Sequence, residues 1–294
     1  MRDAYARLRS LTTCSTTRSA GTRLGAVAGQ VSDDPAARYR QTAAAPVPDL
    51  QVRWSEAARD RVAHVTRQSG VLLVGEVHGV AENALVLHAL LQEFGIRQLS
   101  LEWPPELLPQ IRTFLRHDHL DVAPLEDYRD GRFTAQHYAL LRCSHRKEQL
   151  DRLLLVDVTT EHIDDAPAAQ RWNTRDAAMA AALLAERHPG QALLHSGGNL
   201  HTRLRPFPDE SKAQLVPMGA VLAAAGLPVL SIEIDYCSGS YYNFGLRRFQ
   251  EQRRGAAPSL IEGPAGLRLV LPVASPAFPP AGADPWTSAP TGDN

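Results

Sequence analysis

Lysine is nearly missing from this chain. Lys147 and Lys212 stand alone among 31 basic residues, the rest being arginine. Cysteine is also scarce. Cys14, Cys143 and Cys237 make an odd number, and no two have Cys-x-x-Cys spacing. That argues against a disulfide framework or a zinc knuckle and fits a reducing compartment. No apolar run approaches the roughly 18 residues of a membrane span. The arginine-rich N-terminus is followed by no apolar signal core. The expectation is a cytoplasmic protein without a membrane span. Net charge is only -1, with both signs spread along the chain. No nucleic-acid or anionic-membrane partner is implied. There is no Gly-x-Ser-x-Gly elbow, which argues against a serine-nucleophile hydrolase. The one glycine pair followed by a polar run, GGNLH (197 to 201), lacks the Lys-Ser/Thr of a phosphate loop.

What is present suffices for a core. Hydrophobic residues are 44% of 294, an ordinary globular share. Residues 1–46 are rich in Arg, Ser, Thr, Ala and Gly, without sustained periodicity. They read as a disordered arm and linker. The Pro- and Gly-rich residues 274–294 read as a disordered tail. The folded domain is expected over 47–273. Residues 71–76, 97–103, 153–158, 191–197, 228–239 and 267–273 read as strands, and VLLVGE (71–76) is a continuous apolar run of the kind buried on both faces. Helical spacing occupies 54–68, 82–95, 104–117, 134–152, 174–188 and 216–226. This alternation predicts an α/β fold: a mainly parallel central sheet flanked by helices.

In such sheets functional groups collect beyond the carboxyl ends of the strands. The first strand ends in Glu76 and His78, the second in Glu102. The third carries Asp157 and the fourth runs into Gly198, Asn199 and His201. The fifth carries Glu233 and Asp235. Neighbouring strands lie about 4.8 Å apart, so these side chains can meet in one site. A carboxylate at the end of a buried strand is costly unless paired or useful, which singles out Glu76 and Glu102. Imidazoles beside carboxylates suit general acid–base hydrolysis. Two histidines and a carboxylate also suit a divalent ion, with His78, His201 and Glu102 as candidate ligands. His88 and His137 fall inside helices and read as structural or surface residues. His117 and His119 bracket Asp118 in a solvated turn. Arg175-Asp176 reads as the capped start of a helix.

The motifs GEVH (75–78), LEWP (101–104), RDAAMA (175–180) and GGNLH (197–201) occur in this order. The set resembles the Tiki-type superfamily, which groups ChaN-like haem-binding proteins, erythromycin-esterase-like enzymes and Tiki/TraB-like metalloproteases. The resemblance spans roughly residues 70 to 240. It implies an acid–base or metal site built from Glu76, His78, Glu102 and His201, with Arg175 before a helix that carries Met179. The Gly-Glu-x-His spacing is nearer the ChaN and Tiki pattern than the esterase pattern.

These readings lead to a hydrolase that activates water with Glu76, His78, Glu102 and His201. It would cleave an ester, amide or lactone in a small molecule or peptide. His78 is the expected base, oriented by Glu76. Arg175, Gly198, Asn199 and Asp157 are the expected substrate contacts. One divalent metal ion is an open alternative. A non-catalytic haem-binding protein is another, with Tyr241 or Tyr242 as axial ligand. A third is a biosynthetic accessory enzyme working by elimination or cyclisation.

Overall fold

The computed structural model describes residues 34–126, 128–157, 166–250, 257–263 and 266–279. Its centre is an eight-stranded sheet. The strands are β1 (Arg53–Trp54), β2 (Val71–Glu76), β3 (Gln98–Leu101), β4 (Arg152–Leu155), β5 (Leu193–Gly198), β8 (Val229–Tyr236), β11 (Ser259–Gly263) and β12 (Gly266–Leu271). Two small hairpins supply the remaining strands, β6 (Phe207–Pro208) with β7 (Gln214–Leu215), and β9 (Ser240–Tyr242) with β10 (Leu246–Arg248). The sheet order is β1-β11-β12-β8-β2-β5-β3-β4. From β12 to β4 every neighbouring pair is parallel; only the β11–β12 pair is antiparallel. The expected α/β class and mainly parallel sheet are what the structure has.

Seven α-helices are present among the described residues: α1 (Pro35–Ala43), α2 (Glu56–Arg67), α3 (Asn83–Phe94), α4 (Leu108–His117), α5 (Ala135–Arg146), α6 (Ala168–Glu186) and α7 (Met218–Ala224). They cover both faces of the sheet. Leu72 and Val74 of β2 pack with α1 to α5, while Val71 and Leu73 pack with α6 and α7. That is why VLLVGE is apolar at consecutive positions rather than alternating: every residue of β2 is buried. Ser55 caps α2 by accepting the Ala58 N–H, and Gly95 ends α3 in the left-handed conformation at φ 61.

The chain runs from β2 outward to β3 and β4, returns to β5 between β2 and β3, then crosses to β8 on the other side of β2. This reversal of direction falls at β2, and in open α/β sheets such a point is where functional groups collect beyond the carboxyl ends of the strands, here β2, β5 and β3.

Two expected boundaries differ. The stretch read as a disordered arm carries α1, whose Tyr39 is buried and donates its hydroxyl to Phe133 O at 2.8 Å. A polar, alanine-rich sequence hides this anchor because one aromatic residue does most of the docking. At the other end, residues 274–279 are part of the packed chain. Ser275 N–H donates to Glu82 and Ala277 N–H to Gly79 O. The remainder of both segments, 1–33 and 280–294, lies outside the described residues. Two sheet members, β1 and β11, also went unseen in the sequence, being a two-residue strand and a five-residue strand of mixed polarity.

Replacing Tyr39 by Ala should cost about 3 kcal/mol or more, the usual range for emptying a buried aromatic site. Urea unfolding measures it. A midpoint within error of wild type would show that α1 does not dock on the domain.

Candidate active site

The site begins with register. Glu76 at the end of β2 lies beside Gly198 of β5, and Leu101 of β3 lies beside Ser196. Side chains alternate across a sheet. Glu76 therefore points to the face covered by α5, and Glu102, continuing β3, points to the face covered by α6. Between them β5 ends in two glycines. A Cβ on Gly197 would stand 2.9 Å from both Glu102 Oε2 and His195 Nε2. One on Gly198 would stand 3.2 Å from His78 Nε2, 3.4 Å from the His201 ring and 3.6 Å from Glu102 Oε2. The glycine pair thus lets a carboxylate and two imidazoles close over bare backbone. It also frees the Gly198 N–H to donate to Glu102 Oε2 at 2.7 Å.

Each imidazole is braced by a buried carboxylate. His78 Nδ1 lies 3.1 Å from Glu76 Oε1. A carboxylate only accepts, so Nδ1 carries the proton and Nε2 faces Glu102 Oε2, 4.0 Å away. His201 Nδ1 lies 2.8 Å from Asp176 Oδ2, and its Nε2 receives an N–H of Arg175 at 3.1 Å. Glu102 stands between the two rings, 3.7 Å from His201 Nε2. Trp172 stacks flat on the His201 ring, 4.3 Å between centroids. Trp172, Arg175 and Asp176 share one face of α6 because they are spaced i, i+3, i+4.

Arginines hold the charges in place. Arg175 donates to Glu102 Oε1 at 2.6 Å and to Asp157 Oδ1 at 2.8 Å. Arg132 pairs with Asp157 and with Asp130. On the other face Ser196 Oγ donates to Glu76 Oε2 at 2.8 Å, and His137 Nε2 lies 3.6 Å from the same oxygen.

These contacts decide ionisation. Burial pushes Glu76 up, but the His137 and His78 imidazoles outweigh it and bring the group down to about 2. Glu102 likewise resists the upward push of burial. Electrostatic interactions with His201, His78, Arg175 and Arg132 hold it well below the carboxylate range. Burial pushes His78 down, yet the hydrogen bond to Glu76 and the charges of Glu102, Glu76 and Asp130 leave it raised. The result is a charged carboxylate beside an imidazole that titrates above its ordinary value.

Of the residues expected from the sequence, Glu76, His78, Glu102, Asp157, Arg175, Gly198 and His201 gather here. Asn199 enters through its backbone, its N–H bonding Glu76 O. Glu233 and Asp235 do not join. They lie on a face of β8 whose residues are half-buried or exposed, and Asp235 sits 3.7 Å from Arg268 instead. Four contributors were not recognised: Asp176, which read as a helix cap; His137, which read as structural or surface; and Arg132 and Trp172, which carried no signal. Asp118, between the two loop histidines, is bound by Arg142 and Arg146.

The donor set suits a metal ion poorly. The place where Glu102, Asp157 and His201 converge is filled by the Arg175 guanidinium. Among the described residues no group of three or more acidic, histidine or cysteine side chains is arranged to hold one. Nor do Tyr241 and Tyr242 offer a haem ligand: Tyr242 is buried with its ring near Phe278, and Tyr241 packs on Phe249. Tyr242 covers the loop after β2, where its N–H donates to Gly79 O.

Two solved structures share this architecture. One is a Bacillus cereus protein, 11% identical, matching 83% of this chain and 99% of its own with a TM-score of 0.52. The other is a succinoglycan biosynthesis protein, 9% identical, over 75% of this chain and 91% of its own, TM-score 0.53. An erythromycin esterase mutant in its open conformation aligns over 74% of this chain and 78% of its own, 12% identical, TM-score 0.47. The first two of these show a shared fold. No family model matches the chain and no curated protein matches its sequence. No helix among the described residues is long and apolar enough to cross a membrane.

Glu76 ionises near 2 in the folded chain against an ordinary value of 4.5. A depressed carboxylate adds stability above its unfolded value and loses it as pH falls through the folded one. Glu76→Gln should therefore flatten the loss of stability between about pH 4.5 and 2. Urea midpoints across that range test this. An acid limb identical to wild type would show Glu76 outside the network.

Proposed function

We propose that this chain is a hydrolase that activates water with His78 and cleaves an ester, amide or lactone in a small molecule or peptide. The observation that carries the reading is the convergence on Glu102 of two imidazoles, each braced by its own buried carboxylate, over the bare backbone of Gly198. The fold shared with two solved structures is compatible with it, and the motif resemblance to the Tiki-type superfamily, which includes esterase-like enzymes and metalloproteases, supports it.

The roles follow from which atoms are already committed. Neutral His78 has an unshared pair on Nε2, and no described residue hydrogen-bonds to that nitrogen. It is the base. A water in front of it loses a proton to Nε2 as its oxygen attacks the carbonyl carbon. Glu76 keeps the ring in the right tautomer and stabilises the imidazolium that forms. His201 Nε2 is occupied by Arg175, so His201 acts as part of the clamp on the guanidinium. Arg175 has five N–H groups, three of them committed to Asp157, Glu102 and His201. Two remain for the carbonyl oxygen as it gains negative charge. Collapse of the adduct breaks the bond to the leaving oxygen or nitrogen, which takes the proton back from His78. Water is consumed, and acid plus alcohol or amine are released. No step requires a metal ion.

His78→Ala and His201→Ala should each abolish turnover in a chain that still folds, measured on a panel of esters and lactones; His201→Ala should also lower the thermal midpoint, because buried Asp176 loses its partner. Turnover at the wild-type rate in either variant rejects the assignment. The pH profile separates base from clamp. Activity should rise with pH through the raised His78 value, since only the neutral ring accepts a proton. Glu76→Gln removes the group that raises it and should move that acid limb to lower pH. A limb that stays in place would assign the titration to another residue.

A further inference from the structure

His195, on β5, is used by none of the steps above. It is fully buried. Its Nδ1 lies 3.0 Å from Ser100 Oγ on the adjacent strand, and its Nε2 has no hydrogen-bond partner. A buried polar atom without a partner is costly, so such an atom beside a catalytic carboxylate calls for a reason. The register supplies the setting. His195 lies beside Ser100, so its side chain shares the face of the sheet that Glu102 occupies two residues further along β3. Gly197 lies between them. Its missing Cβ would be 2.9 Å from both His195 Nε2 and Glu102 Oε2. The two atoms are therefore at most twice that distance apart, beside glycine backbone, and no direct hydrogen bond joins them.

We propose that His195 is a positioning residue for Glu102, its Nε2–H directed at Oε2 past the side-chain-free backbone of Gly197. The tautomer follows. Ser100 donates its hydroxyl to Nδ1, and the proton sits on Nε2, directed toward the negative carboxylate. The ring stays neutral at physiological pH, because burial brings it down to about 4 against the raising charges of Glu102 and Glu76, with His201 also lowering it. Glu102 Oε1 is held by Arg175 and Oε2 by the Gly198 N–H. A second donor on Oε2 locks the carboxylate plane, and with it the spacing of both catalytic rings. The catalytic part of this inference rests on the hydrolase reading; the contact itself does not.

Two measurements on the folded full-length chain test it. Nitrogen-15 imidazole spectra, assigned by loss of one ring in His195→Gln, should show His195 neutral with its proton on Nε2. A proton on Nδ1 overturns the proposal, because Nε2 could then give nothing toward Glu102. Kinetics on a hydrolysed ester form the second arm. His195→Leu should lower kcat about tenfold or more, the scale on which partners of an active group act, with KM little changed. His195→Gln, whose amide can place a donor near the Nε2 position, should recover most of it. Wild-type kcat in folded His195→Leu, or equal losses in both variants, also overturns the proposal. Should the wild-type chain hydrolyse nothing while the Nε2–H tautomer is found, and the Glu102 carboxyl carbon-13 shift moves in His195→Leu but not in His195→Gln, the contact stands and the hydrolase reading falls. A carbon shift unmoved in His195→Leu rejects the contact whatever the activity.

Discussion

A charge removed from water must be given partners, and Glu102 is where this chain meets that demand. Its carboxylate is buried, yet the surrounding cations keep it ionised. Leaving such a charge unpaired would cost several kcal/mol. Three structural decisions follow from satisfying it. β5 must end in glycine so that backbone can approach and donate. α6 must present Arg175 one turn beyond Trp172. His201 must sit where its ring can meet both the guanidinium and Asp176. The sheet order serves the same end, since only a strand inserted between β2 and β3 can bring the glycine pair between the two glutamates.

The strands were readable because burial on both faces writes an unbroken apolar run, as in VLLVGE and LLLVDV. The glutamates and histidines at their ends were readable because charge directly after such a run has no cheap structural explanation. The opposite holds for what was missed. Asp176 sits in a helix where a local explanation, compensation of the helix dipole, was available and sufficient. His137 looked like any histidine in an amphipathic helix, although it lies 3.6 Å from Glu76. Arg132 comes from an irregular loop in a chain crowded with arginines. Each reaches the site through tertiary packing, which local spacing does not encode. The reverse error, placing Glu233 and Asp235 at the site, came from treating all strand ends as equivalent. β8 belongs to the other side of β2, and its odd-numbered residues keep access to solvent.

The two faces of the sheet contribute different things. The α5 side holds Glu76 through Ser196 and His137, and so governs the charge state of His78. The α6 side holds Glu102, Arg175 and His201, and so governs what a substrate oxygen would meet. His78 stands at the rim, within reach of a carboxylate from each side. Neither helical layer alone could build the arrangement.

The segment 274–279 adds a mechanical aspect. Its Ala277 N–H bonds Gly79 O, the carbonyl that also accepts from Tyr242, and Val80 bridges to Pro276. Gly79 follows His78 directly. The His78 ring is therefore tethered, one peptide away, to a strap near the far end of the described chain. Tension or slack in that strap, from a bound partner or a proteolytic cut, would reach the histidine through a single peptide, and Ala274 and Ala277, buried in the same strap, would carry it into the core as well.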